Sequence, residues 1–162
     1  MKYLLIALAA LTIVCRPTFA EELMRLNLDD KSVIGTVIQT DTVEKAEGQA
    51  SVRIDTLWPT TICLGEVANL DIENARLIYQ ANVKSDLSGM AFLEMWVHIG
   101  EDRYFSKGMN DTVKDRSEWK TIRTPFLFRQ GQSPDKVTLN LVINGSGSVW
   151  IDDIVLLKTP LK

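Results

Sequence analysis

Ala91-Phe92-Leu93-Glu94-Met95-Trp96-Val97-His98-Ile99 alternates residue by residue. Ala91, Leu93, Met95 and Val97 fall on one side, and Phe92, Glu94, Trp96 and His98 on the other. A period of two belongs to a β-strand with one face buried, because successive side chains point to opposite sides of a sheet. The pattern recurs outward from this stretch. Arg76–Lys84 sets Leu77, Tyr79, Ala81 and Val83 against Ile78, Gln80, Asn82 and Lys84, and Gln49–Leu57 sets Ala50, Val52 and Ile54 against Ser51, Arg53 and Asp55. Val137–Ile143 sets Leu139, Leu141 and Ile143 against Thr138, Asn140 and Val142. Ser32–Thr40, Trp119–Phe128 and Ser148–Leu157 have the same β-branched and aromatic character.

The segments between these runs are rich in turn residues: Glu47-Gly48, Leu87-Ser88-Gly89, Gly131 to Asp135, and Asn144-Gly145-Ser146-Gly147. The one helical candidate is a short turn near Leu70–Asn74. About eight short strands without a helical period predict an all-β fold, an antiparallel two-sheet β-sandwich of the jelly-roll kind. No repeat, low-complexity tract or linker divides the chain. Its 162 residues suit a single domain.

The N-terminus obeys a different grammar. Lys2 is followed by an apolar run from Tyr3 to Val14, about 12 residues, and then by Thr18-Phe19-Ala20 and Glu21-Glu22. A positive start, an apolar stretch and a small residue at the cut describe a secretory signal peptide. The run is well short of the roughly 20 residues that span a bilayer. Residues 1–20 are therefore expected to be removed, leaving one domain over 21–162 that is secreted or periplasmic. Val14 stands before Cys15 where a bacterial lipidation site usually has Gly, Ala or Ser. Without its first 20 residues, which hold Lys2 and Arg16 and no acid, the chain carries 16 basic and 21 acidic side chains, a net charge of −5. That balance excludes a strongly basic nucleic-acid binder, whose affinity rests on phosphate neutralisation. Removing Cys15 also leaves Cys63 single. Its apolar setting, Thr61-Ile62-Cys63-Leu64, predicts a buried, inert thiol.

Three stretches resemble a known family. Glu47-Gly48-Gln49-Ala50-Ser51-Val52 resembles the early G-x-x-S strand of carbohydrate-binding jelly rolls. Trp119 with Pro125-Phe126 resembles their penultimate region, and Gly145-Ser146-Gly147-Ser148-Val149-Trp150-Ile151-Asp152-Asp153-Ile154 their closing strand. The chain from about Ser32 to Leu157 is thus similar to the galactose-binding-domain-like superfamily, nearest to CenC-type modules. The resemblance implies a two-sheet jelly roll, sugar bound on a concave sheet face or at loop tips, and a structural calcium near the closing strand, for which Asp152 is the better candidate ligand. The alternative for this Asp pair is a carboxylate bonded to backbone at a bulge.

Catalytic chemistry finds little support. There is one histidine, His98, and no G-x-S-x-G elbow, phosphate loop or dinucleotide motif. The single His and the single remaining Cys are too few for a zinc site. No carboxylate pair stands out for glycosidase chemistry. The polar faces of the strands are more informative. Trp96, Glu94 and His98 share one side, and Gln80, Asn82, Arg53 and Asn140 fall on the outward side of neighbouring runs. An aromatic ring can stack on the C–H face of a pyranose while amides, carboxylate, guanidinium and imidazole pair with its hydroxyls. An ordinary solvated face laced by cross-strand ion pairs has the same composition. Trp150 and Trp119 read as packing residues, Tyr104-Phe105 as rim or core, and Trp58 as buried or as a second sugar platform. Two functions follow: an exported, non-catalytic module that binds a glycan or oligosaccharide, or a protein-interaction β-sandwich that contacts a cell-envelope protein without binding sugar.

Cleavage after Ala20 predicts that intact-mass analysis of exported protein finds Glu21 at the N-terminus. A chain that starts at Met1 or at a lipid-modified Cys15 overturns that reading.

Overall fold

The alternation that begins at Ala75 does not stop at the expected turn near Ser88. In the computed structural model, which describes residues 20–25 and 35–161, Ala75–Ile99 is one 25-residue strand and Lys136–Pro160 is another. The described residues form eight strands and no helix: β1 Glu21–Arg25, β2 Thr36–Asp41, β3 Ser51–Thr56, β4 Thr60–Ala68, β5 Ala75–Ile99, β6 Asp102–Lys107, β7 Val113–Phe128 and β8 Lys136–Pro160. The expected signal segment, Ala20 excepted, lies outside the described residues, as do the first residues of the Ser32–Thr40 run.

β5 and β8 pair antiparallel along their whole length, from Ala75 opposite Pro160 to His98 opposite Lys136. Every other pairing is built on this ladder. Along 91–99 and 136–143 the strand order is β4-β8-β5-β6. Along the other limb it is β2-β3-β8-β5-β7, with β1 replacing β3 beside the end of β8. The two limbs are the two sheets of the expected sandwich. The ladder changes direction where Gly89 lies opposite Gly145, with φ of 136° and 155°. A Cβ on Gly89 would collide with the Asn144 carbonyl, and one on Gly145 with that of Ser88. The backbones touch here, so only glycine fits on either strand. Leu87-Ser88-Gly89 and Asn144-Gly145-Ser146-Gly147, read from sequence as turns, are therefore bends within strands, while Glu47-Gly48 and Gly131 to Asp135 are turns as expected.

The odd-numbered side chains of β5 point inward on both limbs: Leu77, Tyr79, Ala81, Val83, Ala91, Leu93, Met95 and Val97 are all buried. Val137, Leu139, Leu141 and Ile143 meet them from β8, Ile62 and Leu64 from β4, and Ile122 and Phe128 from β7. Each such aliphatic side chain contributes about 1.5–3 kcal/mol by leaving water. Between Ile151 and Ile154 the ladder shifts register, and Asp153 takes a φ of 49°. This bulge lets both isoleucines face the core and turns the intervening Asp152-Asp153 outward. The segment expected as a helical turn, Leu70–Asn74, is irregular. Ile72 N–H bonds back to Leu70, while Asn69 and Asn74 bond to Asp135 and Arg129. Tying the segment to the β7–β8 connection buries Ile72 completely. One further expectation is corrected: Cys63 is exposed, because Ile62 and Leu64 take the inward positions of β4. Tyr104-Phe105, read as rim or core, is exposed on β6 and so belongs to the rim.

Tyr79 is fully buried, and its hydroxyl has no hydrogen-bond partner among the described residues. Burial pushes its phenol far above the ordinary range. Tyr79→Phe deletes a desolvated, unpaired hydroxyl and keeps the ring, so it is expected to stabilise the fold by about 1 kcal/mol. A melting temperature raised by about 2–4 °C would show this; a lowered one would mean that the hydroxyl is satisfied in solution.

Candidate functional site

The sandwich has two outer faces, and the expected site residues divide between them. Glu94, Trp96, His98 and Asn140 lie on the β4-β8-β5-β6 sheet. Arg53, Gln80 and Asn82 lie on the other limb, with the Gly89 bend between them and Trp96 along β5. The structure does not bring the two groups together, because a bend in the ladder gives each limb its own outer surface.

The second limb is covered around Trp150 by its own loop. Asp41 Oδ1 accepts the N–H groups of Val43 and Glu44, and Asp41 Oδ2 accepts the Trp150 indole N–H at 2.9 Å. These donors, the Glu44 N–H first, hold the Asp41 carboxyl below the usual range. Arg53 and Lys84 approach the Trp150 ring at 5.1 and 5.8 Å. Lys84 also bonds Glu44 at 2.7 Å, which raises its pKa. Trp150 is thereby buried, as expected for a packing residue, and Arg53 is engaged by Trp150, Asp55 and Ser148. Asn82 accepts from the Thr121 hydroxyl at 2.6 Å.

Asp152 belongs to the same loop closure. Its Oδ2 accepts the N–H groups of Ala46 and Glu47, both at 3.0 Å, and its Oδ1 accepts Asp153 N–H at 2.8 Å. Asp153 is paired with Arg25. Three N–H dipoles and a guanidinium present positive charge where a calcium ion would need oxygen ligands, so these residues do not fit the expected cation. The carboxylate instead fastens the Ala46-Glu47 turn to the bulge.

The first limb has the open face. Its rows follow from register. Cys63, Asn140, Glu94 and Lys107 form one row, Glu66, Thr138, Trp96 and Phe105 the next, and Lys136, His98 and Arg103 the third. Glu94 is buried and fully engaged: Oε1 accepts the Trp96 indole N–H at 2.8 Å and Asn140 Nδ2 at 3.3 Å, and Oε2 pairs with Lys107 at 3.2 Å. Glu94 and Asn140 thus support the surface. Trp96 is half-buried, its ring tilted against Phe105 with centroids 5.4 Å apart. Phe105 is 57% exposed, and Lys107 Nζ lies 5.2 Å from its ring centre. Lys136 and Thr138 bond Glu66 at 2.9 and 3.1 Å and, with a smaller contribution from His98, lower its pKa. An open depression of about 360 Å³ extends this face past Phe92 and Lys107 to Met90 and Met109. The residue that sequence reasoning left undecided is Phe105. Its pairing with Trp96 across β6 supplies the exposed ring that Trp96 was expected to provide.

No family model matches the chain, and no curated protein matches it. Solved structures do. The CBM22-1 xylan-binding domain from Paenibacillus barcinonensis Xyn10C superposes with a TM-score of 0.60 at 12% identity, over 91% of this chain and 100% of that one. The CBM22-1-GH10 modules of Clostridium thermocellum Xyn10B, complexed with xylohexaose, give 0.60 at 15% identity, over 84% of this chain and 28% of that one. A family 16 carbohydrate-binding module gives 0.54 at 11% identity, over 76% of this chain and 86% of that one. At such identities the likeness establishes the fold, a β-sandwich of the carbohydrate-binding-module kind. Among the described residues no helix is long and apolar enough to cross a membrane.

If Asp152 acts on backbone rather than on a metal, excess chelator leaves the melting temperature unchanged, whereas Asp152→Ala lowers stability by about 1–3 kcal/mol. A chelator-induced drop in melting temperature, reversed by added calcium, would restore the metal reading.

Proposed function

We propose that this chain is an exported, non-catalytic module that binds a glycan on the outer face of the β4-β8-β5-β6 sheet. The observation that carries the proposal is the Trp96–Phe105 pair: one ring half-buried and anchored by Glu94, the other exposed above it and flanked by Lys107. A pyranose has an apolar C–H face and a hydroxyl rim. Phe105 offers the first an uncharged surface that costs little to desolvate. Lys107, Thr138, His98 and Arg103 supply donors and acceptors around it. Glu94 and Asn140 act beneath, fixing the indole and the ammonium so that little side-chain entropy remains to be lost on binding. The depression beyond Phe92 gives a sugar chain room to continue along the sheet.

The solved structures that share this fold support the same reading. The names of two describe xylan binding or a xylohexaose complex, so xylohexaose is the first ligand to try. Nothing in the face requires a metal or an organic cofactor to hold a neutral sugar.

Phe105→Ala is expected to weaken xylohexaose binding by about 2 kcal/mol, the cost of removing a central aromatic anchor, and to leave the fold intact because the ring is exposed. Trp96→Ala is expected to lose both binding and stability, since it also leaves Glu94 short of a donor. Calorimetric titration of both variants, with thermal melts, makes the measurement. Wild-type affinity in Phe105→Ala would exclude this face as the site.

A further inference from the structure

Arg103 is the charged group of the sheet face that nothing else in the fold engages. The β5–β6 ladder pairs Phe105 with Trp96 and Arg103 with His98. Alternation along β6 puts Arg103, Phe105 and Lys107 on one side, the side on which the Phe105 ring meets Trp96. The acids of this face are both paired. Glu94 holds Lys107 at 3.2 Å, and Glu66 holds Lys136 at 2.9 Å. Arg103 is exposed, and it is the one Lys or Arg of the face without an ion pair or side-chain hydrogen bond among the described residues. Two acids near it in space are occupied. Asp102, on the opposite side of β6, accepts from the Tyr104 hydroxyl at 3.3 Å, and Asp135 accepts the Gly100 N–H at 2.6 Å. Glu101 lies in the β5–β6 turn and forms no ion pair with Arg103.

The chain as a whole carries a net charge of −3. An unpaired cation beside the exposed aromatic ring is therefore a local inversion of sign, and local potential is what a charged ligand meets on approach. Alternate residues of a strand stand roughly 6.6–6.8 Å apart. A guanidinium on its long stem at Arg103 thus reaches a substituent of a sugar ring stacked on Phe105. Charge decides what that substituent is. A neutral sugar laid over an unpaired guanidinium strips water from it and returns only hydroxyl acceptors. A carboxylate returns two parallel charge-assisted hydrogen bonds, because its two oxygens match the guanidinium fork. His98 and Lys136 continue the row beyond Arg103 without adding an unpaired acid.

We propose that this face selects an acidic glycan, in which a uronate unit lies against Phe105 and its carboxylate pairs with Arg103. The inference rests on the glycan-binding reading of the same face and adds the class of sugar that the face prefers.

The test is calorimetric titration with two matched pairs of ligands. One is xylohexaose carrying a single glucuronic acid branch against its carboxyl-reduced form; the other is hexagalacturonate against its methyl ester. The acid of at least one pair is expected to bind about tenfold tighter than its neutral partner, with a preference that shrinks as salt is raised. Arg103→Gln should bring the acid-to-neutral ratio close to one. Arg103→Lys keeps the charge but not the fork, and should retain part of the preference. Thermal melts confirm that both variants fold, as expected for an exposed side chain. Phe105→Ala should weaken the acidic and neutral forms alike. Equal affinity within both pairs, or a preference unmoved in Arg103→Gln, overturns the inference and leaves the glycan reading standing. Tighter binding of a sulfated xylohexaose than of either uronate assigns Arg103 to sulfate and overturns the uronate. Absence of binding by both pairs and by xylohexaose, or acid binding at wild-type affinity in Phe105→Ala, overturns the glycan reading of this face and the inference with it.

Discussion

The β5–β8 ladder is the constraint on which the rest of this molecule depends. Two 25-residue strands pair from end to end. Their odd-numbered side chains fill most of the core, and every other strand pairs with one of them except β2, which pairs with β3. A ladder of this length, left flat, would expose its apolar face. Folding it at Gly89 and Gly145, where the backbones touch, turns that face inward on both limbs and makes a closed core from one pair of strands. The same bend sends the two outer surfaces in different directions. Which outward side chains share a surface is thus fixed by a backbone feature.

The two outer surfaces then diverge because of where carboxylates meet backbone donors. Asp41 and Asp152 accept five backbone N–H bonds between them, four from the residue 43–47 loop. They hold that loop against Trp150, and Arg53 and Lys84 complete the cover. Charge on this limb is spent on closure. On the other limb the central carboxylate, Glu94, points along the surface to Trp96, Asn140 and Lys107. It orders the face without covering it, and the exposed Phe105 remains above. Similar residue types, placed on two limbs of one strand pair, yield a surface partly covered by its own loop and an open one.

Much of the fold was legible in the chain. Alternation at Leu77–Val83, Leu93–Val97 and Leu139–Ile143 identified the inward positions, because burial acts on side chains at a period of two wherever a strand pairs. The outward position of Trp96, Glu94, His98 and Asn140 followed from the same parity. Parity cannot distinguish a turn from a bend, so Leu87-Ser88-Gly89 and Asn144–Gly147 read as loops although the ladder runs through them. It also missed β6, whose exposed edge carries no apolar alternation, and it placed Cys63 by its neighbours' character rather than by its own parity.

By itself, the sequence determined the all-β class, the inward set of side chains and the kind of chemistry available outside, since these depend on residue type and local spacing. Only the tertiary structure decided which outward residues share a surface. That depends on strand register and on the glycine bend, which separate Arg53, Gln80 and Asn82 from Trp96 and bring Phe105 to it across β6. It decided, too, that Asp152 faces backbone N–H groups, because its partners at Ala46 and Glu47 lie more than 100 positions away in the chain. No local pattern can record a contact of that range.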